Sequence, residues 1–253
     1  MTDRHFDKKA WRDLNLDFIQ GVTQCENQKL LVNGKLQGMA LDLAGEDTVE
    51  IFQSYTARGL LRNPSDLVLV DVDTCTSIKG RLRLAKRYKK RDRPLCVLGD
   101  VYNLIPILNN RPSSIGVYCM DLMNQAGAPW WDRDGGTLFA QVMHSVQQFG
   151  VSCLILNHTL DGLDTHEDRL TRLVEHVHSF ERVLRVTYGS TSPMSPILPS
   201  DAALLSFLKS PPSEVNDEGR WLGGVQVYRS RTWRMVTIRV YLLTGGPVVY
   251  RRS

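Results

Sequence analysis

The chain has 253 residues, 42% hydrophobic and 23% charged, with a formal net charge of +4 at neutral pH. That length can bury one substantial core, and the composition is that of an ordinary globular protein rather than a disordered or fibrous one. No run approaches the roughly 18 consecutive apolar residues of a membrane span. The opening "MTDRHFDKKAW" lacks the apolar centre of a secretory leader, so a soluble cytoplasmic protein with no membrane partner is expected.

The first 34 residues are polar and mixed, with weak helical periodicity around "WRDLNLDFI". They read as an N-terminal extension that packs on the core or contacts substrate, ahead of one domain over residues 35–253. "LQGMALDL" is an apolar run, and "EDTVEIFQSYTARG" follows with Val49, Phe52 and Tyr55 at helical spacing. Gly59 falls where a helix C-cap belongs. "DLVLVDVD" is a second strand. After it, Ile78, Leu82 and Ala85 share one face of an expected helix. "PLCVLGD" is a third strand, "VYNLIPIL" a short helical connection broken near Pro106, and "SSIGVYCMDLM" a fourth strand.

Leu138, Val142 and Val146 mark a helix closed by Gly150, "VSCLILNH" is a fifth strand, and "EDRLTRLVEHVHSFERV" a charged helix. A Ser/Pro-rich loop holding one short helix then leads to two strands, "GGVQVYRS" and "TWRMVTIRVYLLT", joined by a tight polar turn. Parallel neighbours need crossovers, and crossovers are usually helices. Apolar runs without strict alternation suit strands covered on both faces. The expected fold is therefore α/β: a Rossmann-like, doubly wound, mostly parallel seven-stranded sheet with a C-terminal antiparallel β-hairpin.

The five cysteines form no C-x-x-C pair, and three lie in strand-like runs, so reduced core thiols are expected and no zinc site. Charge is uneven. Residues 79–93, "KGRLRLAKRYKKRDR", hold nine Lys/Arg against one Asp, a net +8 in a chain whose total is +4. If this segment is one helix, Lys86, Lys89, Lys90 and Arg93 face away from Ile78 and Leu82, flanked by Arg83 and Arg87. Such a face neutralises phosphates without reading sequence, which makes nucleic acid the expected partner and an acidic protein surface the alternative. "NHTLDGLDTHEDR" gathers His158, Asp161, Asp164, His166, Glu167 and Asp168, but at no recognised metal-ligand spacing, so no metal is expected.

Five strand–helix units closed by a hairpin resemble the class I S-adenosylmethionine-dependent methyltransferases, from about Lys35 to the end. The family's first turn reads roughly D-x-G-x-G-x-G, and "LDLAGEDT" fills that slot. Asp42 matches the leading acid, Ala44, Glu46 and Thr48 stand where glycines would be, and Gly45 alone supplies backbone freedom. The resemblance implies S-adenosylmethionine as cofactor, with Asp42, Ala44 and Gly45 at this turn. It further implies Asp73 on the ribose, with Asp71 as the alternative, and Asp100 near the adenine amino group. At the fourth strand it implies Asp121 and Asn124 facing the methyl acceptor, although no Pro-Pro-aromatic follows them. Two functions are consistent with these residues: a methyltransferase acting on nucleic acid, or a methyltransferase-like fold kept as an inactive nucleic-acid- or protein-binding module.

Overall fold

The structure, a computed structural model, describes residues 8–43, 47–110, 114–122, 137–159, 166–189, 194–209, 219–230 and 233–251. Its centre is a nine-stranded mixed sheet. Four βα units and a fifth parallel strand build the parallel part: β3 (Met39–Leu43) with α2 (Thr48–Ala57), β4 (Leu67–Asp71) with α3 (Thr74–Arg87), β5 (Leu95–Leu98) with α4 (Val101–Asn109), and β6 (Ile115–Leu122) with α5 (Thr137–Phe149), the fifth strand pairing parallel to β6. Then come β7 (Val151–Thr159), α6 (His166–Tyr188), α7 (Asp201–Lys209), β8 (Arg220–Leu222), β9 (Val225–Ser230), β10 (Trp233–Leu243) and β11 (Gly246–Val249). The order is β5-β4-β3-β6-β7-β10-β9-β8, with β11 also paired to β10. Strand β10 runs antiparallel to both β7 and β9, between which it lies.

All seven expected strands form, and the doubly wound class holds. The two additional strands are short. β8 is three residues long, too brief for periodicity to show, and turns into β9 through Gly223-Gly224, with Gly223 at φ +61°. β11 contains Pro247, which is tolerated because its strand lies at an edge. A separate hairpin, β1 (Leu31–Val32) with β2 (Lys35–Leu36), closes through Asn33 and Gly34, both at positive φ.

Two apolar layers sandwich the sheet. On one face Leu41, Val70, Tyr118, Met120, Leu154 and Ile238 pack with residues of α4, α5 and α6. On the other Ala40, Leu69, Val117, Cys153 and Ile155 pack with residues of α2, α3 and the N-terminal helix α1 (Lys8–Gly21). Phe18 and Ile19 of α1 are fully buried there. Phe18 stacks on Tyr241 at 4.3 Å, and the Tyr241 hydroxyl donates to the Phe18 carbonyl. Trp11 Nε1 donates to Thr237 Oγ1 at 2.9 Å. All five cysteines are free thiols. Among the described residues no helix is long and apolar enough to cross a membrane.

Three local expectations are corrected. Helix α3 buries Ser77, Gly80 and Leu84, leaving Ile78 and Leu82 more than half exposed and Ala85 exposed as well. The cause is the close approach of α3 to α2: a Cβ at Gly80 would lie 2.5 Å from Thr48 Oγ1, so the contact selects small side chains over apolar ones. Residues 79–93 are not one helix either. α3 stops at Arg87, and Lys90–Asp92 form a separate 3₁₀ turn. Pro94 disfavours helix at Arg93, whose Nε donates to the Tyr88 carbonyl at 2.7 Å, while Tyr88 packs edge-on to Phe52. Finally, α4 runs through Pro106 to Asn109, its buried Val101, Ile105 and Leu108 holding the face together.

At an exposed helical site Gly→Ala stabilises by about 1 kcal/mol. At position 80 the sign reverses: Gly80→Ala lowers stability by about 1–3 kcal/mol through overpacking against Thr48, read as a lower midpoint in urea unfolding.

Candidate functional site

In an open parallel sheet, ligands bind outside the carboxyl ends of the strands, where strand order reverses. Here that point lies between β3 and β6, since β4 and β5 extend to one side of β3 and β7 to the other. The expected acids reach this edge but differ in state.

Asp42 is 6% exposed and pairs in register with Leu69 and Cys119, so it points toward the α1–α2 layer. It lines a small cleft with Trp11, Arg12, Asn15, Ser54 and Tyr55. The Tyr55 hydroxyl is held well above its ordinary pKa, first by burial and then by Asp42. Asp47 stands at the N-cap of α2 yet makes no side-chain capping bond. Its carboxylate instead meets Lys8 Nζ at 2.8 Å and Arg12 Nη1 at 3.4 Å.

Asp73 and Asp100 are both helix caps. Asp73 Oδ1 accepts from Thr76 N–H at 2.6 Å, starting α3, and that bond lowers its pKa. Asp100 Oδ1 accepts from Tyr102 N–H at 2.9 Å, starting α4. Asp71, two residues before the first cap, is different. Its Oδ1 accepts from Asp73 N–H at 2.8 Å, while Oδ2 is buried with no hydrogen-bond partner. Desolvation raises its pKa, partly offset by that backbone bond. A buried acceptor left unpaired costs about 1–3 kcal/mol.

Asp121 lies near the end of β6 in register with Asn157. Asn157 is buried, and its Oδ1 accepts from Tyr228 Oη at 2.9 Å and Thr237 Oγ1 at 2.8 Å. Sequence reasoning did not single out this network, whose members lie on three strands. Ala44, Gly45, Glu46 and Asn124 lie outside the described residues.

In the basic segment, Arg83 pairs with Glu50 at 2.6 Å and Arg93 donates to backbone carbonyls, so both are engaged internally. Lys86, Arg87, Lys89 and Lys90 are exposed, and among the described residues no carboxylate pairs with them. They also lie far from the crevice. α3 starts beside Asp73 and its 14 residues run back along the sheet, about 20 Å at 1.5 Å per residue, to the end where β5 begins. Among the described residues no group of three or more His, Cys, Asp or Glu side chains could hold a metal.

Strand order reverses beside β3, and an antiparallel strand is inserted between β7 and β9. The fold is a Rossmann-like, doubly wound α/β sheet. No family model matches the chain, and no curated protein does. Similar solved structures include an rRNA methylase from Streptococcus thermophilus, 12% identical, covering 89% of this chain and 93% of its own, TM-score 0.40. Human methyltransferase-like protein 13, in complex with S-adenosylhomocysteine, is also 12% identical, covering 88% of this chain and 80% of its own, TM-score 0.43. A methyltransferase from Thiobacillus denitrificans, likewise in complex with S-adenosylhomocysteine, is 12% identical, covering 93% and 94%, TM-score 0.39.

Beside the crevice, His158 of β7 is buried, its ring 5.6 Å from that of His176 on α6. Burial, then His176, pushes its pKa down to about 3 from an ordinary 6.5. The folded state therefore binds fewer protons than the unfolded one between these values, and stability falls as pH drops through that window. His158→Asn flattens the slope of unfolding free energy against pH between about 6.5 and 3, where one group contributes up to ~1.4 kcal/mol per pH unit. Equal slopes in variant and parent count against this assignment.

Proposed function

We propose that the protein is an S-adenosylmethionine-dependent methyltransferase acting on nucleic acid. The observation that carries the cofactor reading is the buried, unpartnered Oδ2 of Asp71 at the end of β4. A carboxylate has acceptor sites for two donors, and the vicinal hydroxyls of a ribose are such a pair. The residues present fit the nucleoside half of the cofactor: Asp71 would hold the ribose, and Asp100, at the next strand end, the adenine amino group. Asp73, already capping α3, has the lesser claim to the ribose and serves mainly to fix the β4–α3 turn. Asp42, Ala44 and Gly45 belong to the turn that would carry the amino-acid half.

When bound, the cofactor supplies an already activated methyl group. This chain's contribution is then alignment and water exclusion. Asp121 and Asn124, at the end of β6, would hold the acceptor atom. Asn157, beside Asp121, is fixed by Tyr228 and Thr237, which keeps that part of the sheet edge rigid. No nucleophile or general-base triad is required.

The nucleic-acid half of the reading rests on Lys86, Arg87, Lys89 and Lys90, with Arg83 and Arg93 holding the segment in place. Since the cluster lies about 20 Å from the crevice, its role is to anchor a polymer by its phosphates while a distant nucleotide reaches the reacting centre. Binding of this kind weakens steeply with salt.

Calorimetric titration with S-adenosylhomocysteine tests the cofactor reading. The parent protein binds. Asp71→Ala loses about 10–100-fold in affinity, the equivalent of one charge-assisted hydrogen bond. Asp73→Ala binds nearly as well but melts at lower temperature. Absence of heat at millimolar ligand would instead favour the non-catalytic module. The narrowness of the cleft beside Asp42, about 10 Å³, speaks for that second reading.

A further inference from the structure

Helix α3 hides its small residues and shows its apolar ones. Ser77, Gly80 and Leu84 face inward, while Ile78 and Leu82 are more than half exposed. The close contact of Gly80 with Thr48 fixes that orientation. At about 100° per residue, Lys79, Leu82 and Lys86 then run along the outer line of the helix. On its α2 side Arg83 pairs with Glu50 at 2.6 Å. On its other side Arg81 Nη2 donates to the Cys96 carbonyl of β5 at 3.0 Å. Ile78 and Ala85 flank Arg81 there. In β5, Leu95 and Val97 pack into one apolar layer and Cys96 into the other. Strand alternation therefore puts Leu98, 43% exposed, on the α3 face. An apolar strip thus borders the edge strand of the sheet, with a lysine one turn before Leu82 and another one turn after it. Apolar residues scattered singly on a surface are ordinary, but a strip rimmed by charge marks a binding surface.

The chemistry of the strip selects its occupant. A sugar–phosphate backbone would neutralise the lysines and leave Ile78 and Leu82 bare, and α3 has no aromatic residue to stack on a base. Interfacial helices enter bilayers with bulky wedges such as Trp or Phe, which α3 also lacks. A second copy would bring like charge to like, since residues 79–93 carry a net +8. An added strand would need the outer carbonyls of β5, and Arg81 already occupies that of Cys96. A helix meets none of these obstacles. From Ile78 to Ala85 the strip spans two turns, about 10 Å, the repeat of an apolar ridge spaced three and four residues apart. Lys79 and Lys86 are exposed, and among the described residues no carboxylate forms a salt bridge with either.

We infer that the α3–β5 edge docks an acidic amphipathic helix of a partner protein. Its apolar ridge lies on Ile78 and Leu82, and its carboxylates meet Lys79 and Lys86. This surface goes beyond the phosphate anchor and touches it at Lys86, where a polymer and a partner helix would compete.

The probe is a synthetic helix of about 18 residues, five turns, with leucines at every third or fourth position and glutamates beside them. The same peptide with serine for leucine, a DNA duplex and phosphatidylglycerol vesicles are the comparisons. Each is titrated into the full chain at low salt. The leucine peptide binds, and the serine peptide binds about tenfold or more weakly. Ile78→Ser combined with Leu82→Ser keeps the parent's urea midpoint, because both side chains are exposed. It loses about tenfold or more in affinity for the leucine peptide, while any duplex affinity stays as in the parent. Lys79→Gln weakens the peptide further as a single change and makes its binding less sensitive to salt. Equal binding of the leucine and serine peptides overturns the inference, as does binding of neither at millimolar concentration. Duplex or vesicle binding that falls in the double-serine variant, with peptide binding unchanged, overturns it in favour of that occupant.

Discussion

Arg239 lies mid-strand in β10, 1% exposed, on the sheet face that α1 covers. Its Nε donates to Asn15 of α1 at 2.8 Å and its Nη1 to Gln226 of β9 at 2.7 Å. Its guanidinium also sits 5.7 Å from the Trp221 ring. Nη2 is buried without a partner, and burial pulls the pKa down to about 10, which still leaves the group charged at neutral pH. A buried cation held by two amides and no carboxylate tolerates no further loss. Asn15 therefore makes α1 a necessary part of the core. With Trp11–Thr237 and Phe18–Tyr241, it fixes the helix in register over the sheet. That docking brings Lys8 and Arg12 to Asp47 at the start of α2.

The acids at the strand ends divide by what their oxygens already do. Asp73 and Asp100 spend an oxygen on the first free N–H groups of α3 and α4, which positions the two turns. Asp71, set back inside β4, is kept from capping and retains a buried oxygen with no donor. Asp42 is turned under α1 instead of toward open solvent. Four acids that look equivalent along the chain thus differ: two start helices, one keeps a buried oxygen without a hydrogen-bond partner, and one is buried beneath α1.

Most of the architecture was legible because buried parallel strands appear as apolar runs and their crossover helices as periodic ones. The local errors share a physical origin. Ile78 and Leu82 were placed inward by their apolarity, whereas a close helix–helix contact at Gly80 selected the small face. The Asn33-Gly34 and Gly223-Gly224 turns were readable hairpin signals beside strands too short to show a pattern. The roles of Arg12, Asn15 and Arg239 were not legible at all, because their meaning comes from contacts spanning up to 224 positions. No local pattern distinguishes them from ordinary surface residues. That Asp73 and not Asp71 caps α3 was likewise not legible, because it depends on where the helix begins.

Hydrogen–deuterium exchange with and without saturating S-adenosylhomocysteine addresses the central claim most directly, because it locates the ligand as well as detecting it. The account predicts slowed exchange in residues 71–76 and 99–104, with the basic cluster at 86–90 unchanged. No change at millimolar ligand, or protection confined to the far end of α3, would contradict it.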